Sequence, residues 1–155
     1  MRAYASTLAV LGLQTQEKVS RYKVRKDAGS GPSGATALIE VRNGMVPFSS
    51  VATLASLLRI NAADLLAVVG LSPRTATRRK SDGFLMADEA DRLLRVARVF
   101  EEAIRVFGSQ EKASAWLRAD HPMLGNLAPY RLLDSDAGAK AVTDELIRID
   151  FGDFA

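Results

Sequence analysis

From Ala87 to Phe107 the apolar residues Ala90, Leu93, Leu94, Ala97, Phe100, Ile104 and Phe107 recur at steps of three and four, with Arg92, Arg95, Arg98, Glu102 and Arg105 between them. Only an α-helix, with its turn of about 3.6 residues, gathers such positions onto one face. A helix that long with one apolar side must be covered by other elements, so the rest of the chain has to supply its partners. Gly108 is expected to stop it, Ser109 to cap the next helix, and Arg98 and Glu102, one turn apart, to pair. Downstream of residue 34 there is no sustained two-residue alternation of the kind a half-buried strand needs, and the fold class expected is all-α.

At 155 residues the chain can enclose one good core or two small ones. Asp27 to Gly34 (D-A-G-S-G-P-S-G) has no bulky apolar side chain and is rich in helix breakers, so it predicts a flexible linker behind an N-terminal arm. The expected division is an arm and linker over 1–34, a DNA-binding unit over 35–84 and a partner-binding unit over 85–155. Within the linker, G-S-G-P-S-G-A-T imitates a phosphate-binding loop, but Ala35 stands where the lysine must reach the phosphates, and the imitation fails. The chain contains no cysteine, which excludes disulfides and thiolate metal sites and suits the cytoplasm. The apolar run Leu8 to Leu13 is too short for a secretory leader, and no stretch is long and apolar enough to span a membrane.

The net charge of +3 hides an asymmetry: residues 1–81 carry 12 Lys or Arg against 4 Asp or Glu, and residues 82–155 carry 9 against 14. A basic half beside an acidic half implies a polyanion as one partner and something different as the other. Within the basic half, Asn61 is a good N-cap, Leu65, Leu66, Val68 and Val69 offer a buried face, and Gly70 permits a tight turn. Ser72 then caps a second helix, Pro73 fits its first turn, and Arg74, Arg78, Arg79 and Lys80 load it with charge. Two short helices around a glycine turn, the second basic, present side chains as a helix-turn-helix does to the major groove. On this reading Arg78, Arg79 and Lys80 neutralise phosphates, while Ser72, Arg74 and Thr75 lie near the helix start, where base edges are within reach.

The last forty residues carry an apolar surplus: Trp116, Met123, Leu124, Leu127, Tyr130, Leu132, Leu133, Ile149, Phe151 and Phe154 compete for shelter. Trp116, Leu117, Leu132 and Leu133 are expected to complete the core against the Ala87–Phe107 helix. Phe151 and Phe154 sit on a glycine-broken end too short for a helix, and an aromatic pair there fits an anchor inserted into another protein. His121, between Asp120 and Pro122, is expected to be a solvent-facing turn residue, and Asp134, Asp136, Asp144 and Glu145 to be capping and surface groups. No nucleophile and base, acid pair or metal-ligand set emerges, so neither catalysis nor a cofactor is expected.

Trp116-Leu117, P-M-L-G, P-Y-R-L-L-D, A-G-A and the closing R-I-D-F-G-D-F-A, in that order, resemble the C-terminal domain of the Xre/ParS-type antitoxins. The segment Gly70, Ser72, Arg78 to Lys80 and Arg92 to Leu94 is similar to the Cro/repressor-type helix-turn-helix that precedes that domain. The likeness covers about Pro47 to Ala155. Two positions depart from such motifs, Leu66 where a small residue is usual and Ala76 where a large apolar anchor is usual; either the two compensate for each other or the motif is weakened as a DNA reader. The resemblance implies a homodimer that binds operator DNA and a RES-domain toxin that degrades NAD. Carried over residue by residue, the family pattern lands on Trp116, Leu117, Pro122, Leu124, Gly125, Pro129, Leu132, Leu133, Asp134, Ile149, Gly152 and Phe154. With Leu127 and Phe151 from the apolar surplus, the toxin-facing set becomes Trp116, Pro122, Leu124, Leu127, Pro129, Leu132, Leu133, Ile149, Phe151 and Phe154. A dimeric helix-turn-helix regulator without a toxin is the alternative.

Overall fold

The computed structural model describes residues 46–152; the arm and linker expected over 1–34, and Phe154, lie outside the described residues. In chain order come α1 (Ser49–Leu58), α2 (Ala62–Val68), α3 (Pro73–Asp82), α4 (Ala87–Phe107), α5 (Gln110–Arg118), two 3-10 turns at Pro122–Leu124 and Pro129–Asp134, and α6 (Asp136–Asp150). Among the described residues strand-like pairing is confined to isolated bridges, Pro47 with Phe84 and His121 with Leu127, so the all-α expectation holds. No single helix among them is long and apolar enough to cross a membrane.

α4 has the expected ends and is the hub. It buries Ala90, Leu93, Leu94, Ala97 and Phe100 as its spacing predicts, and also Val96, Val99 and Ala103, because α5 and α6 wrap it on more than one side. One apolar core runs without a break from Val51 and Leu54 in α1 through α4 to Val142 and Leu146 in α6. The helix-turn-helix region and the C-terminal region therefore share α4 and are held on a common frame.

That wrapping also changes the stripe expected to be wet. Arg92 turns back to donate from Nη1 to the Val69 carbonyl at 3.1 Å. Arg95 reaches forward to Asp136 at 2.7 Å. The expected Arg98–Glu102 pair gives way to another: Glu102 pairs with Arg105 at 2.7 Å, and Arg105 also holds Asp150 of α6 at 2.9 Å. A guanidinium able to bridge two carboxylates wins over a simple pair on one helix face, and the two hydrogen bonds hold Arg105 protonated well above its usual range.

Candidate nucleic-acid and partner-binding surfaces

Asn61 caps α2 by accepting from the Ala63 amide at 3.0 Å. The turn that follows places Gly70 at φ +76°, and a Cβ there would lie 2.6 Å from Arg92 Nη1, the guanidinium that satisfies the end of α2. The left-handed backbone favours glycine there, and any side chain would also push the Arg92 guanidinium off the Val69 carbonyl. Ser72 then caps α3, its Oγ accepting from the Thr75 amide at 3.2 Å and sharing a hydrogen bond with the Thr75 hydroxyl at 2.9 Å. Only Ala76 on α3 is buried, while Leu66 packs at the edge of the core. The large residue on α2 and the small one on α3 leave the two helices folded as a helix-turn-helix, so the departures at these positions are accommodated.

Because successive helix residues turn by about 100°, the face of α3 opposite Ala76 carries Arg74, Thr77, Arg78 and Ser81, all exposed. Lys80 is exposed at the C-terminal edge, Ser72 is exposed at the start, and Thr75 is half-buried. Thr77 and Ser81 escaped the sequence reading; knowing that Ala76 is the inward residue would have found them. Arg79, expected with the phosphate contacts, is instead turned inward with an 11% exposed side chain. Its Nε donates to both oxygens of Glu89, at 3.0 and 2.8 Å, and its Nη1 to Asp82 at 3.2 Å. The Glu89 hydrogen bonds, ahead of the charge attraction, hold this guanidinium protonated above its ordinary value. The partner stands ten positions away across a turn, so no local pattern signals it.

At the other end, Trp116 is half-buried, its ring packed 5.5 Å from Phe107 and 4.8 Å from His121. His121 Nε2 lies 2.8 Å from the Trp116 carbonyl, so the histidine expected to face solvent is a half-buried brace. Ala119 leaves α5 in an extended conformation, which folds the following turn back onto the helix end. The loop is closed by the His121 amide donating to Leu127 O at 3.3 Å and the Asn126 amide donating to His121 O at 2.9 Å.

Three residues expected to face the toxin are core residues: Leu124, Pro129 and Leu133 are buried where the 3-10 turns fold against α5 and α6. The first proline-led turn buries Leu124, and the second buries Pro129, Tyr130 and Leu133. Trp116, Leu132 and Ile149 are half-buried, and Pro122, Leu127 and Phe151 are exposed. Met123, 62% exposed, and Ile147, 41% exposed, were missed. The Ile147–Phe151 spacing of four, one helical turn, is the signal that could have found the second. Among the described residues, the large apolar side chains this region leaves to water are Met123 and Leu127 on the 3-10 loop, Ile147 on α6 and Phe151 just past its end.

The A-G-A segment has a packing explanation. A Cβ on Gly138 would fall far inside the 3.0 Å limit against the Leu132 carbonyl oxygen, so the first turn of α6 lies backbone to backbone on the second 3-10 turn. The same turn packs against α2, where Asp64, Val68, Tyr130, Arg131 and Asp134 line a cleft between the two regions. Among the described residues no three His, Asp or Glu side chains gather as metal ligands.

Residues 102–152 match the model of the antitoxin Xre/MbcA/ParS C-terminal toxin-binding domain, and residues 37–98 match that of the antitoxin Xre-like helix-turn-helix domain. Among curated relatives, Antitoxin Xre of Photorhabdus laumondii is 29% identical over 137 residues, spanning 87% of this chain and 93% of the relative. Antitoxin Xre of Yersinia enterocolitica is 34% identical over 98 residues, 62% of this chain and 66% of the relative. Antitoxin Xre of Pseudomonas putida is 34% identical over 76 residues, 49% and 48% of the two chains. The basic face of α3 lies inside the first matched region, and the exposed apolar groups of the 3-10 loop and α6 lie inside the second.

Proposed function

The chain belongs to the Xre-type antitoxins, and from that membership we propose that it acts in the cytoplasm as a homodimer that inhibits a RES-domain, NAD-degrading toxin and represses its own operon. The observation that carries this reading is the pairing of two chemically opposite surfaces on one frame: the cationic outer face of α3, and the exposed apolar groups of the 3-10 loop and α6. In this reading Ser72, Arg74 and Thr75 approach base edges, and Arg78 and Lys80 neutralise phosphates. Pro122, Met123, Leu127, Ile147 and Phe151 meet the toxin, flanked by the partly covered Trp116, Leu132 and Ile149 and by Phe154 at the tail. The division of labour follows the expected units, DNA over 35–84 and toxin over 85–155. Two copies would place two α3 helices on successive half-sites of the operator. The chain inhibits and does not itself catalyse.

Co-expression with a RES-domain protein encoded beside its gene tests the proposal: cellular NAD should hold steady with the chain and collapse without it. If no complex forms and NAD is unprotected, the reading gives way to a dimeric regulator without a toxin. For the DNA surface, Arg78→Ala and Lys80→Ala should each lower the slope of log affinity against log salt by about 0.9. Protection against the toxin should be unchanged in both. Slopes equal to that of the unaltered protein would move the DNA site away from α3.

A further inference from the structure

α3 is tied to the rest of the fold by few side chains. Ala76 is its one buried residue, and a single methyl group resists sliding or rocking poorly. The backbone beyond its end is anchored, with the Phe48 amide donating to Gly83 O at 3.0 Å and the Leu85 amide donating to Val46 O at 2.9 Å, but neither bond orients the helix body. The Arg79–Glu89 pair does. Its one Nε–H is shared between both Glu89 oxygens, at 3.0 and 2.8 Å, and Nη1 of the same planar group donates to Asp82 at 3.2 Å, which fixes angle as well as distance. Glu89 is itself buried, 6% exposed, and its Oε2 also accepts the Met86 amide at 2.8 Å at the start of α4. The outer face of α3 is thereby registered to the 21-residue helix that organises the whole core.

From this geometry we infer that Arg79 is a positioning residue: with Glu89 it sets the attitude at which Arg74 and Arg78 meet DNA, and it takes no phosphate itself. Its charge is already met by Glu89 and Asp82, so it has no counterion to release. The inference rests on α3 being the DNA-reading helix.

The test uses the full chain with two duplexes, the operator region upstream of its own gene and a scrambled sequence of equal length, titrated over a salt series. Glu89→Gln removes a negative charge beside DNA, which simple electrostatics says should tighten binding. Misalignment instead predicts operator affinity down about tenfold, the scale of one lost base contact, with scrambled-duplex affinity within about twofold. Arg79→Lys keeps the charge and loses the planar group that reaches Glu89 and Asp82 at once, so it should copy Glu89→Gln, and Arg79→Met should weaken operator binding with its salt slope unchanged. Three results would overturn the inference: Glu89→Gln binding the operator as well as the unaltered protein or better, Arg79→Lys behaving as wild type, or a slope for Arg79→Met lower by about 0.9, the mark of a lost phosphate contact. Loss of scrambled binding and helical circular dichroism together would reduce the pair to a folding element and overturn it as well. Arg78→Ala is the internal control. Should that variant keep the full slope, the DNA reading of α3 fails, and this inference falls with it for a separate and visible reason.

Discussion

Removing Phe151 to Ala155 should weaken the toxin complex by roughly thirty- to a thousand-fold, the cost of taking a well-packed aromatic anchor from an interface centre. The side chains that hold α6 lie upstream of these residues: Asp150 is its last helical residue, and Val142 and Leu146 fix it to the core. Phe151 then stands 80% exposed, one turn beyond exposed Ile147, and its tie to the fold is through the backbone, its amide donating to Ile147 O at 3.0 Å, while its ring is left to water. An apolar ring held in water at a helix end gains free energy as soon as a partner covers it, by about 25 cal/mol for each Å² buried. The measurement is NAD loss in an equimolar mixture of toxin and truncated chain, beside the dissociation constant of the complex. Melting temperature and operator binding should stay at their starting values. A constant that moves by less than about threefold would assign the anchor role to Met123 and Leu127 on the 3-10 loop.

Gly138→Ala should destabilise the protein by about 3 kcal/mol or more, lowering the melting temperature by about 10 °C. On helix propensity alone the same change would stabilise by about 1 kcal/mol, since Gly138 lies in the first turn of α6. The sign reverses because the added Cβ meets the Leu132 carbonyl, a backbone atom that no rotamer can move aside. Relief requires the second 3-10 turn to lift from α6, which uncovers Leu133 and disturbs the cleft beside α2. Gly108→Ala is the comparison: nothing lies within 4 Å of its added Cβ, so it reports only the left-handed backbone penalty, about 1 kcal/mol. Melting within about 2 °C of the unaltered protein would show that the two backbones separate at no cost. Because α4 is common to both regions, the loss should appear in toxin binding and operator binding alike.

The sequence alone determined where the helices of the described residues begin, end and turn. The ends of α4, the caps at Asn61, Ser72 and Ser109 and the turn at Gly70 are each specified by residues no more than four positions apart, through capping bonds and apolar spacing that act before any tertiary contact forms. The order of tryptophan, prolines, leucines and glycines was equally legible, and it led to the same family as the relatives do. The tertiary structure alone decided which side chains of each polar or apolar class face inward. Arg79 meets Glu89 ten residues on, Arg92 meets Val69 across 23, and Arg95 meets Asp134 across 39. A guanidinium at such positions is a DNA contact or an internal strut according to where a distant carboxylate or carbonyl falls. Leu124 and Pro129 could not be told from Met123, Leu127 and Phe151 for the same reason, while Leu133 is buried as its place beside the long helix led us to expect. Hydrophobicity drives burial without direction, and only the way α5, α6 and the 3-10 turns close around α4 selects the residues left for a partner.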